Sequence, residues 1–151
     1  MQKVISLKNR ISKKTTIFTI LAVFFVILDR FLKVLCSKGL LDKPFPLFGD
    51  ILGLHFAKNY YISFSIPLSG PILTTAIGII ILILLVYLIK TFKTQLSLLI
   101  LIIGATINFI DRLKFGYVID YFDLKWFAVF NIADCFIVLG IFFLLIKQIK
   151  K

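Results

Sequence analysis

Pro71 to Ile89 reads PILTTAIGIIILILLVYLI, a stretch without a single charged side chain. A helix rises about 1.5 Å per residue and the hydrocarbon core of a bilayer is roughly 30 Å thick, so a run of this length crosses a membrane when helical. Working outward, three more runs have the length and apolarity to do the same: Ile17 to Cys36, Leu96 to Leu113 and Phe130 to Ile146. Each of these, unlike the first, is interrupted by an acid: Asp29, Asp111 and Asp134 respectively. Composition agrees with the membrane reading. The 151-residue chain is 60% hydrophobic, with 17 Phe and no Glu, and its mean hydropathy is +1.05. A globule of this size cannot hide that much apolar surface. The expected fold is a membrane all-α one, with four transmembrane helices near 17–36, 71–89, 96–113 and 130–146, in a single domain over residues 1–151.

The net charge of +11 comes from 18 Lys and Arg against 7 Asp, a balance that in a soluble protein suggests nucleic acid. Here the cations sit at the ends of apolar runs, where membrane-surface anchors belong, and no nucleic-acid partner is expected. Lys3, Lys8, Arg10, Lys13 and Lys14 precede the first run, Lys90 and Lys93 separate the second from the third, and Lys147, Lys150 and Lys151 follow the fourth. Positive ends stay inside, so both termini and the middle loop are expected in the cytoplasm, with 37–70 and 114–129 outside. The N-terminal pattern resembles a signal peptide but lacks a small-residue cleavage site, which favours an uncleaved first helix. Cys36 and Cys135 form no metal-spaced pair and are expected as buried thiols, and the lone His55 is far in sequence from both. No metal site and no cofactor are expected.

The first outer segment has its own pattern. Leu54, Phe56, Tyr60, Ile62, Phe64 and Ile66 occupy alternate positions, with only Lys58 breaking the row, while His55, Asn59, Ser63 and Ser65 fall between them. A period of two reads as an amphipathic strand lying against the membrane surface. Pro44, Pro46 and Gly49 mark turns upstream, so a small extracytoplasmic β-platform is expected at about 37–70, between helices 1 and 2.

Ionisable side chains inside a membrane are costly and are functional candidates by default. Counted from the basic end of each helix, Asp29, Asn108 and Asp134 reach a common depth about two thirds of the way to the outer face. Asp29 and Lys33 share a helix face at i and i+4, as do Asn108 and Arg112, and Asn131 and Asp134 do so at i and i+3. One polar cluster near the outer mouth of a bundle follows. Asp120, on the segment returning to the last helix, is placed to fold back over Asp134. Two close carboxylates cannot both ionise easily, so one keeps a proton while the other activates water, which is chemistry suited to peptide hydrolysis. Asp29 with Lys33 reads equally as an intrahelical ion pair or as a substrate-orienting pair, and Asp111 is expected to hold the end of the third helix and its neighbour Arg112.

The string GATINFIDRLKFGYVID, Gly104 to Asp120, resembles the lipoprotein signal peptidase (signal peptidase II) signature, and FNIADC, Phe130 to Cys135, resembles its second signature, Phe-Asn-x-Ala-Asp-Ser. Asp29 to Lys33 is similar to that family's Asp-x-x-x-Lys pattern, and Lys58 to Ser65 to its Arg-Asn-x-Gly-x-Ala-Phe-Ser segment. All four fall in family order. The resemblance implies four helices with an outer β-cradle and an aspartic endopeptidase that removes signal peptides from diacylglyceryl-modified prolipoproteins, N-terminal to the lipidated cysteine. It implies Asp120 and Asp134 as catalytic dyad, Asn59, Asn108, Arg112 and Asn131 as residues that position substrate or dyad, and Asp29 and Lys33 as a supporting pair. It further implies the bacterial inner (plasma) membrane; an active site near the outer leaflet, contacts with membrane lipids and a monomer are expected as well. Tyr61, Ser63, Ile107 and Cys135 depart from the family pattern, and the bulk of Tyr61 and Ile107 is expected to narrow the groove. Two other readings stand beside this one: a Gly-x-Gly-Asp intramembrane protease, a pattern absent from this chain, and a small transporter subunit with a charged path through the bilayer.

Overall fold

The computed structural model describes residues 13–62, 66–91 and 96–149. Lys3, Lys8, Arg10, Lys93, Lys150 and Lys151, on which part of the orientation reading leans, lie outside them, as do Ser63, Phe64 and Ser65. In chain order the elements are α1 (Lys13–Ser37), β1 (Phe45–Phe48), β2 (Leu52–Asn59), β3 (Tyr61–Ile62), β4 (Ile66–Ser69), α2 (Gly70–Thr91), α3 (Leu96–Phe115), β5 (Val118–Leu124) and α4 (Ile132–Ile149). Among the described residues, α2, α3 and α4 are long and apolar enough to cross a membrane.

The remaining helix, α1, has 25 residues, about 37 Å of helix, but carries Asp29, Arg30 and Lys33. Its amphipathicity is inverted relative to a soluble helix. Asp29, Lys33 and Cys36 form the buried stripe, while Ile20, Phe24, Ile27, Phe31 and Val34 are exposed. The polar face looks into the bundle and the apolar face looks out.

Helices α3 and α4 pack closely because two glycines leave room. A Cβ on Gly140 would lie 2.7 Å from Leu101 Cβ and 2.8 Å from Ser97 O; one on Gly104 would lie 2.5 Å from Ala133 O. One turn beyond Gly104 along α3 stands Asn108, and next to Ala133 in α4 stands Asp134. The close approach of the backbones therefore presses these two polar side chains together.

The β-platform differs from its sequence reading in two ways. It is not built from 37–70 alone: the three-stranded sheet has the order β1-β2-β5, and β5 comes from the segment between α3 and α4. Strand β5 pairs antiparallel with β2, with Ala57 opposite Asp120 and Asn59 opposite Val118. The single alternating strand expected over Leu54 to Ile66 is also broken after Asn59, and β3 and β4 form a separate two-stranded sheet. Alternation does not mark burial in β2, because its residues, exposed Lys58 apart, are half-buried on both faces. Of the two thiols, Cys36 is buried as expected, but Cys135 is only partly so.

Candidate active site

Four successive residues of β5, Val118 to Tyr121, are buried, because the strand is enclosed by β2 and by helices α1 and α3. That buries the Asp120 carboxyl, which is 1% exposed. Asn59, the last residue of β2, donates its Nδ2–H to Asp120 Oδ2 at 2.9 Å, while Asn131 donates its Nδ2–H to Asp120 Oδ1. Burial, then the nearby negative charge of Asp134, pushes the Asp120 carboxyl up from 3.8 to about 7, with the two amide hydrogen bonds opposing the shift.

Helix α4 begins at Ile132 rather than at Phe130, which instead bridges to Phe122 of β5. Asp134 thus stands in the first turn of α4 and not within its apolar run. Asn131 caps that turn: its Oδ1 accepts the Asp134 N–H at 2.9 Å, and Asp134 Oδ2 accepts the Asn131 N–H at 3.2 Å. This reciprocal arrangement is a capping box, which satisfies two N–H groups that a helix start leaves free and fixes the carboxylate rotamer. Asn131 therefore touches both acids, Asp120 through its side chain and Asp134 through its backbone.

The orientation of Asn108 follows from its partners. Its Oδ1 accepts from Lys33 Nζ at 3.1 Å and from Asn131 Nδ2 at 3.3 Å, so its own Nδ2–H points at Asp134 Oδ1, 2.7 Å away. Lys33 spends its three ammonium protons on Asn108 Oδ1, Asp29 Oδ2 at 3.2 Å and Asp111 Oδ2 at 2.7 Å. Arg30 bridges the same two acids, with Nη1 2.9 Å from Asp111 Oδ1 and Nη2 3.0 Å from Asp29 Oδ2. Two cations and two anions balance in a place where an unpaired charge would cost several kcal/mol. Asp111 does not hold Arg112, contrary to expectation. One residue apart on a helix, the two side chains diverge by about 100°, and Asp111 faces α1 while Arg112 donates its Nη2–H to the Tyr61 carbonyl at 2.9 Å. Nor is Asp29–Lys33 an isolated intrahelical pair, since Asp111 and Arg30 complete it.

A cavity of about 390 Å³ opens beside this cluster, lined by Asn59, Asn108, Arg112 and Asp134 at its polar end and by Ile77, Ile81, Leu84 and Ile141 along the rest. Asp120 is not in its wall, but its hydrogen-bond partner Asn59 is. Neither Tyr61 nor Ile107 lines it, so the narrowing expected from their bulk does not occur there. Eight of the sequence-derived site residues, Asp29, Lys33, Asn59, Asn108, Asp111, Asp120, Asn131 and Asp134, are thus joined by side-chain contacts, and the ninth, Arg112, shares the cavity wall with Asn59, Asn108 and Asp134. Sequence reasoning passed over two members. Arg30 was visible as a third charge in an apolar helix, whereas nothing in the sequence marks Tyr121, whose hydroxyl donates to Asp29 Oδ1 at 2.8 Å.

The model of the signal peptidase (SPase) II family matches residues 21–150. The chain belongs to that family. A lipoprotein signal peptidase of Caldanaerobacter subterraneus subsp. tengcongensis is 33% identical over 127 residues, 80% of this chain and 88% of the relative. One from Streptococcus agalactiae serotype Ia is 33% identical over 143 residues, 89% and 93% of the two chains. Among solved structures, a bacterial membrane enzyme determined by the in meso method at 2.3 Å resolution superimposes with a TM-score of 0.75 at 29% identity, covering 92% of this chain and 90% of the other. A second, at 1.9 Å, gives 0.71 at 29% identity, covering 93% and 96%.

Proposed function

We propose that this signal peptidase II family hydrolase, which removes signal peptides from prolipoproteins, does so with Asp120 and Asp134 as its two catalytic carboxylates. The observation that carries the reading is that both acids are tied to one residue, Asn131, and come from different elements, β5 and α4. A buried Asp120 pushed up to about 7 beside a second carboxylate leaves the pair holding one proton near neutral pH, as a coupled unit. The ionised carboxylate takes a proton from water, and the water oxygen attacks the scissile carbonyl. The protonated partner gives its proton to the carbonyl oxygen. Collapse of the tetrahedral intermediate breaks the C–N bond: the proton taken from water passes to the leaving amine, and the partner carboxylate takes a proton back from a hydroxyl of the intermediate as the new carboxyl forms, which restores the shared proton.

The other site residues act on position. Asn108, oriented by Lys33, aims its N–H at Asp134, and Arg112 presents guanidinium donors to the cavity, where a substrate carbonyl would lie. Asn59 covers Asp120 Oδ2 and gives way when substrate enters. The apolar length of the cavity suits a signal-peptide segment or an acyl chain, in keeping with the substrate that the family resemblance implies, a diacylglyceryl-modified precursor cut on the N-terminal side of its lipidated cysteine.

We read α1 as the fourth membrane span, on its inverted stripes and its neutralised charges. Lys90 and Lys147 lie at the ends of α2 and α4 away from the sheet, which favours a site near the outer leaflet of the bacterial inner membrane with both termini cytoplasmic. The test is cleavage of one purified lipidated precursor. Asp120→Asn and Asp134→Asn should each slow it by ~10²–10⁴-fold while folded protein stays in the membrane; cleavage at the wild-type rate by either variant removes that residue from the dyad. Equal turnover of the unlipidated precursor would contradict the lipid contribution.

A further inference from the structure

Tyr121 is completely buried, in a core cluster with Cys36, Ile119, Ile132 and Phe136. A phenylalanine would fill that space equally well, so the hydroxyl asks for a separate reason. Its oxygen does two things. It donates to Asp29 Oδ1 at 2.8 Å and accepts the N–H of Ile132 at 3.1 Å. Ile132 opens α4, and an N–H at a helix start has no partner within its own helix. The phenol thus serves as a tertiary cap, anchored on its other side to an acid that Lys33 and Arg30 hold in place. Burial and the Asp29 charge both push the phenol well above its ordinary range, so it stays a donor.

The sequence neighbours give this contact its consequence. Asp120 precedes Tyr121, and Asn131 precedes Ile132. Two adjacent residues of β5 therefore grip two adjacent residues at the head of α4: Asp120 holds the Asn131 side chain, and the Tyr121 hydroxyl holds the Ile132 backbone. A backbone bond from Tyr121 N–H to the Phe130 carbonyl, 3.1 Å, completes the register. We propose that the Tyr121 hydroxyl is a positioning group for the proteolytic reaction, fixing the head of α4 against β5 so that Asn131 holds Asp120 and Asp134 in register. The proposal rests on the two-aspartate reading given above.

The test compares wild-type enzyme, Tyr121→Phe, Ile132→Pro and the double variant on a lipidated precursor. Tyr121→Phe keeps the ring and removes the hydroxyl. Ile132→Pro removes the N–H at the first helical position, where proline is tolerated. Each should lower kcat by roughly 10- to 100-fold with KM within about twofold, and the double variant should be little slower than the slower single one, since both cut the same link. Amide hydrogen exchange over 130–136 should quicken in Tyr121→Phe while that of β2 is unchanged. Wild-type kcat in Tyr121→Phe overturns the proposal, and so does a loss confined to KM and melting temperature, or multiplicative losses in the double variant. If Tyr121→Phe yields no folded protein, the decision passes to Ile132→Pro, whose wild-type kcat would overturn it. With Asp120→Asn as the inactive control, these outcomes separate failure of the proposal from failure of the dyad, because an active Asp120→Asn defeats the dyad first.

Discussion

Adding one methyl group at Gly104 should disable the enzyme without touching any polar residue. The new Cβ would lie 2.5 Å from Ala133 O, 2.9 Å from Phe136 Cβ and 3.1 Å from Ile137 Cγ1, whereas ordinary contact begins at 3.4 Å. The closest of these is a backbone carbonyl, which cannot rotate away, so α3 and α4 must separate by roughly 1 Å. Misplacement on that scale costs on the order of 10²-fold in rate. It also stretches the 2.7 Å bond from Asn108 Nδ2 to Asp134 Oδ1 past useful length. Overpacking of this kind destabilises by about 1–3 kcal/mol, so much of the protein should still be recovered folded. Gly78→Ala is the control: its Cβ would meet only the Phe109 ring, 3.2 Å away, and a ring edge shifts by a few tenths of an ångström. Initial-rate cleavage of a lipidated precursor in mixed micelles, with kcat and KM resolved, should show Gly104→Ala slowed by ~10²-fold in kcat and Gly78→Ala within about threefold of wild type. Wild-type kcat in Gly104→Ala would mean that the helix approach does not set the geometry of the site.

Three further expectations concern charge. Activity should fall as pH rises through about 7, where Asp120 loses its proton; a pH–rate profile flat into the alkaline range would refute the shared proton. The same shift has a stability consequence of definite sign. A carboxyl raised from 3.8 unfolded to about 7 folded binds more protons in the native state between those values, so it makes the fold less stable as pH rises across that window. Asp120→Asn should accordingly melt at a higher temperature than wild type at pH 8 and show no such gain at pH 4, and equal shifts at both would defeat the argument. Lys33→Met leaves Asp29 and Asp111 sharing Arg30 alone and should cost about 3–5 kcal/mol, measured as a fall in melting temperature in detergent; an unchanged melting curve would show that the buried ion cluster contributes little.

What the sequence determined by itself is whatever depends on local spacing and composition. Helices α2, α3 and α4 were legible because a long, predominantly apolar run has no low-energy alternative in a membrane to forming its own hydrogen bonds. That Asp29, Asn108 and Asp134 face one cluster followed from the fixed rise and turn of a helix. The resemblance of Gly104 to Asp120 to the family signature then singled out Asp120, which composition alone would have left as a solvated loop residue. Tertiary structure decided everything that depends on partners distant in the chain. That β5 joins the sheet and buries Asp120, that Asp111 faces α1 instead of Arg112, and that Tyr121 spans from Asp29 to the head of α4 are choices among contacts that local periodicity does not rank. A hydrogen bond between residues 92 positions apart, such as Tyr121 to Asp29, leaves no periodic trace because its energy is realised only once the surrounding helices have packed and excluded the alternatives.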